Sequence, residues 1–130
     1  MKYVITIFYL EIAANLFLIG QCLFFPAGFM AGYSAQPASA GALEVVRWYG
    51  VLLIPIVWLL FRALRERGRV LRLVLEAYLV FDLVQIVVGL VSASSLGWAP
   101  YVLIVVPLEV LLASARVLCL WKPRETGIER

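Results

Sequence analysis

Four stretches of about twenty mostly apolar residues, near 3–25, 43–64, 70–93 and 100–121, take up most of this 130-residue chain. A helix rising 1.5 Å per residue needs about 20 apolar residues to cross the ~30 Å hydrocarbon core of a bilayer, and each stretch meets that length. Within a bilayer every backbone polar group must be satisfied internally, so four such runs predict helices rather than open sheet. The expected fold is all-α, a polytopic membrane protein built as a four-transmembrane-helix bundle. One integral membrane domain spans 1–130.

Composition agrees: 65% of residues are hydrophobic and 15% charged, against nearly half and a quarter in soluble domains. That excess, distributed along the whole chain, excludes a soluble enzyme on a single anchor. The chain has no histidine, so a histidine general base, haem ligand or zinc ligand is not available. No phosphate-binding glycine loop, cysteine pair at metal spacing or nucleic-acid module is present. The net charge of +3 falls in short runs between the spans and is better explained by orientation than by a nucleic-acid partner. Chemistry is therefore left to carboxylates, amides and arginines.

The first span ends at Pro26, a natural helix stop. Ala38, Ser39 and Ala40 resemble a signal-peptide cleavage site, but the apolar run is too long for a signal h-region and the site lies far beyond it. Residues 27–41, with Phe29, Met30 and Tyr33 spaced to touch one surface, read as an interfacial loop with room for one helical turn. Trp48, Tyr49 and Trp58 mark the headgroup levels of the second span. Lys2, the turn from Arg62 through Arg65, Glu66, Arg67 and Arg69 to Arg72, and the tail with Lys122 and Arg124 all fall on one side of four spans, whereas the other two loops carry no Lys or Arg. Both termini are expected in the cytoplasm. Cys22 and Cys119 lie at opposite ends of the expected bundle, ~25 Å apart, too far for a disulfide. A weak echo pairs Tyr9, Leu10 and Gly20 with Tyr78, Leu79 and Gly89, though low-complexity coincidence explains it better than a two-span duplication.

Asp82 falls near the predicted midplane, Glu109 within a turn of it, and Glu11 slightly to the cytoplasmic side with Asn15 between them. A charged group there costs a few kcal/mol, so such residues face the bundle interior and mark sites. Glu11 and Asn15 are i, i+4, with Gly20 on another face for close packing. Tyr78, Asp82, Gln85, Gly89 and Ser92 form one polar and small stripe at 4-3-4-3 spacing, and Glu109, Ala113 and Arg116 share a face of the last span. The candidate ligand-binding set is Glu11, Asn15, Tyr78, Asp82, Gln85, Glu109 and Arg116, with Asp82, Glu109 and Glu11 as candidate acids or bases. Pro55 and Pro107 each release a carbonyl four residues earlier, at Val51 and Leu103. The plainer alternative is a structural network joining Glu11 to Arg116, Asp82 to Asn15 or Tyr78, and Glu109 to Gln85. Glu76, four residues after Arg72, reads as half of a surface ion pair.

The run Phe24-Phe25-Pro26-Ala27, the Gly/Ala-rich loop after it, the segment Glu44-Val45-Val46-Arg47-Trp48-Tyr49-Gly50 and the short basic turn resemble the DoxX-like group of small bacterial four-helix membrane proteins. That resemblance implies a bacterial inner (plasma) membrane protein, in some members tied to quinone-linked sulfur or redox-stress complexes. It transfers no catalytic residue. Three functions remain open: a pocket protein or enzyme for a lipophilic small molecule (quinone, isoprenoid or sterol-like), an accessory or assembly subunit of a larger membrane complex, and a proton-coupled exporter, dimeric in form. Carboxylic acids in an apolar pocket also suit protonation of an alkene or epoxide. No cofactor signature is present, a quinone or other lipid is the compatible ligand, and the expected partners are membrane lipids, that ligand, and either a second copy or a larger complex.

The orientation is testable by labelling. Single cysteines introduced at Ser34 and Ser95 should react with an impermeant thiol reagent from outside intact cells, and failure of both positions to label overturns it.

Overall fold

The computed structural model describes residues 2–32, 37–96 and 100–121, with side chains given for 5–32, 37–94 and 102–121. Five helices follow in order: α1 (Lys2–Phe24), α2 (Pro26–Ala31), α3 (Ala40–Glu66), α4 (Gly68–Leu96) and α5 (Pro100–Trp121). Four of them are long and apolar enough to cross a membrane, and the all-α four-helix architecture is as expected. The single helical turn allowed for after Pro26 is α2, with Pro26 in its first turn, where the missing N–H costs nothing. Tyr33, Ser34, Gly97, Trp98, Lys122 and Arg124 lie outside the described residues.

Local chemistry explains the helix ends. Ser39 caps α3 by accepting the Ala42 N–H at 3.2 Å. Arg67 ends α3 with φ 60° and Gly68 opens α4 at φ 56°, so a turn of minimal length folds the chain back on itself; Gly68 accepts that backbone without a Cβ penalty. Along α3, Val46, Gly50, Leu53, Val57, Leu60 and Leu64 are buried at the three- and four-residue spacing of one helix face. The opposite faces carry Trp48, Leu52, Leu59, Val84, Val87, Val88 and Leu111, all exposed, as lipid-facing side chains are. Ser94 and Ser114 are also exposed, and each hydroxyl donates to a carbonyl of its own helix, Val91 and Val110, at 2.7 Å.

The helices pack as two close antiparallel pairs, α1 on α3 and α4 on α5, with slighter seams between α3 and α4 and, slightest, between α1 and α5, and among the described residues no backbone approach between α1 and α4. Toward the Arg67 turn the pairs close on a common core of Phe8, Leu60, Ala63, Leu64, Leu71, Leu75, Ala115 and Cys119. At the other end they diverge. Both cysteines are free and buried.

Glycine placement corrects one sequence expectation. Gly20 has nothing within 4 Å of where a Cβ would sit, so it mediates no close packing. The close approaches are at Gly50, whose Cβ would meet Cys22 Cβ at 2.8 Å, and at Gly89, whose Cβ would meet Val106 Cγ2 at 2.7 Å. Each lies in the seam of one pair, where small residues let helix backbones approach in lipid. The echoed positions have different surroundings: Gly20 is open and Gly89 packed, Tyr9 exposed and Tyr78 buried. Gly50→Ala should therefore destabilise the protein by about 1–3 kcal/mol in a detergent unfolding titration while Gly20→Ala stays within about 0.5 kcal/mol.

Candidate functional site: a buried guanidinium beneath a membrane-open cleft

Arg116 is the largest fully buried side chain, at 0% exposure. A lone guanidinium in hydrocarbon is prohibitive, so its neighbours must supply both charge and hydrogen-bond acceptors. The α5 face carrying Glu109, Ala113 and Arg116 turns inward, and Arg116 divides its terminal nitrogens between two helices. Its Nη1 donates to Asp82 Oδ2 on α4 and its Nη2 to Glu11 Oε1 on α1. Two rings flank the cation, with the guanidinium carbon 5.8 Å from the Phe8 centroid and 5.0 Å from that of Tyr78, within cation–π range. Tyr78 in turn donates its hydroxyl to the Ile56 carbonyl on α3. One residue thus links three helices directly and the fourth through a ring.

The expected pair Glu11–Arg116 forms. Asp82 is joined to Arg116 rather than to Asn15 or Tyr78, because the long arginine reaches up from its own helix position to the Asp82 level. Glu109 does not pair with Gln85; its carboxyl stands within hydrogen-bonding reach of Asp82. Three buried polar atoms have no partner among the described residues: Glu11 Oε2, Gln85 Oε1 and Arg116 Nε. The other ion pairs, Glu44–Arg47, Arg62–Glu66 and Arg72–Glu76, are exposed pairs within a helix, and the last is the one expected from spacing. Exposed pairs of this kind contribute about 0–1 kcal/mol.

Where the two helix pairs diverge they leave a cleft of about 520 Å³, within the ~300–1,000 Å³ usual for small-molecule sites. Its polar end is formed by Glu11, Asn15, Tyr78, Asp82, Gln85 and Glu109; of the candidate set, Arg116 alone lies below it. The remaining wall is apolar and aromatic, and includes Tyr49 and Phe29, which sequence reasoning assigned to the headgroup level and the loop. Leu10, Phe17, Ile104 and Leu111 line the cleft and are also exposed on the outer surface, so it opens sideways along the α1–α5 seam toward lipid. The polar stripe on α4 was readable from its spacing; Tyr49 and Phe29 were not, because only the divergence of the pairs brings them to the wall.

Comparison of the chain with family models, with curated proteins and with solved structures finds no match. Fold and site together define a multi-pass, four-helix membrane protein with a charged knot at the base of an interior cleft.

The knot makes a stability prediction. Arg116→Leu leaves Glu11 and Asp82 buried without a cation and should cost about 3–5 kcal/mol in an SDS unfolding titration. The triple variant Glu11→Leu, Asp82→Leu, Arg116→Leu should recover most of that loss. A triple variant as unstable as the single one would show that the helices, and not the ion pairs, were damaged.

Proposed function

We propose that the protein binds a lipophilic small molecule of quinone, isoprenoid or sterol-like size, which enters from the bilayer between α1 and α5 and places its polar head against the carboxyl and amide groups at the cleft's base. The observation carrying this reading is the pairing of an apolar, laterally open wall with unpartnered buried polar atoms at its closed end. A purely structural network in a bilayer has reason to satisfy every polar atom, because each orphan costs roughly 1–3 kcal/mol. Arg116 and Asp82 serve here as a positioning base, while Glu11 through its second carboxyl oxygen, Gln85, Asn15 and Glu109 are the groups that face a ligand. The DoxX-like resemblance is compatible with a quinone in this role.

Mass spectrometry of gently solubilised protein tests the proposal. Wild type should carry about one lipophilic molecule per chain, and Ala14→Trp, which places a large ring on the cleft wall, should lose it while keeping its thermal unfolding profile. A stoichiometric partner chain with no small molecule in either sample would replace this reading with the accessory-subunit one.

A further inference from the structure

Of the three fully buried polar atoms without a partner among the described residues, the two on residues that line the cleft are acceptors, and the third, the donor Arg116 Nε, lies below it. Glu11 is 8% exposed and its Oε2 is unpartnered, and Gln85 Oε1 is a second buried acceptor without a donor. Charge runs in the same direction. Glu11, Asp82 and Glu109 stand around one guanidinium, whose terminal nitrogens are committed to Glu11 and Asp82. Glu109 therefore has a carboxyl neighbour and no cation of its own. No group of three carboxylate or thiol side chains among the described residues could hold a metal ion. Tyr49, Tyr78, Phe17, Phe29 and Phe81 on the wall add ring faces that attract cations.

Resting on the pocket reading above and narrowing it, we propose that the cleft takes an amphiphile with a primary ammonium head, with Glu109 as its counter-ion. An ammonium carries three N–H donors and no acceptor. It can give one to Glu109 and the others to Glu11 Oε2 and Gln85 Oε1, while its hydrocarbon tail lies along Leu108, Leu111 and Phe17 toward the seam. A carboxylate head would add a fourth acid to a site already rich in them. An alcohol supplies one donor for several acceptors. The charged groups that act on Glu109 are Asp82 from α4, Glu11 from α1 and Arg116 on its own helix, so the ammonium would be the second cation among three carboxyls.

The test uses dodecylamine, dodecanol and dodecanoate at equal concentration with the full chain in nanodiscs of zwitterionic lipid, read by native mass spectrometry. Wild type should retain the amine over both others by about tenfold, and Glu109→Gln should bring the amine-to-alcohol ratio close to one. Equal retention of amine and alcohol by wild type would overturn the ammonium assignment and leave the pocket intact. An undiminished amine preference in Glu109→Gln would likewise overturn it. Retention of none of the three would remove the pocket reading along with it. The wild-type comparison decides the question even if the variant does not fold.

Discussion

A single buried guanidinium holds this bundle in register. Lipid tails are as apolar as leucine, so transmembrane helices gain little from hiding apolar surface against one another; packing and interhelical hydrogen bonds must do that work. The close approaches at Gly50 and Gly89 build the two pairs, yet neither joins one pair to the other. Arg116 does, reaching Glu11 in one pair and Asp82 within its own, with Tyr78 extending the link to the Ile56 carbonyl on α3. Its position also decides where packing stops. Below it the common core is continuous, and above it the pairs part.

Much of this was legible in the residues. Span length and the one-sided Lys/Arg pattern predict four crossings, and the spacing of Tyr78, Asp82, Gln85 and Gly89 puts one polar stripe inside the bundle, as the structure has it. The pairing Glu11–Arg116 followed from depth alone. What depth could not supply was reach: an arginine's long side chain spans more than a helical turn, so Asp82 became its second partner and Glu109 was left with a carboxyl neighbour. Gly20 misled because a glycine on a lipid-facing surface looks, in sequence, the same as one in a helix seam. Tyr49 and Phe29 reach the cleft through tertiary divergence, which no local pattern encodes.

The knot and the cleft also divide labour among acidic residues of similar depth. Glu11 and Asp82 face a permanent cation, and removing either leaves Arg116 short of an acceptor. Glu109 sits on the same helix face as that cation but is displaced from it by seven residues, ~10 Å along the axis. Similar chemistry in the same bundle thus serves cohesion at one level and availability at the next.

The minimal turn at Arg67 and Gly68 has a mechanical consequence. α3 and α4 run 27 and 29 residues from that turn, each ~40 Å of rigid rod, and they join the two pairs only at that end of the chain's path. Such an arrangement is a lever with its fulcrum at the basic end. A rotation of about 5° there displaces the far tips by roughly 3.5 Å, about the thickness of an alkyl chain, while core residues such as Leu60 and Leu75, seven residues from the corner, move by about 1 Å. Across the α1–α5 seam such a motion would work against the Arg116–Glu11 pair, which ties the two rods' partners together.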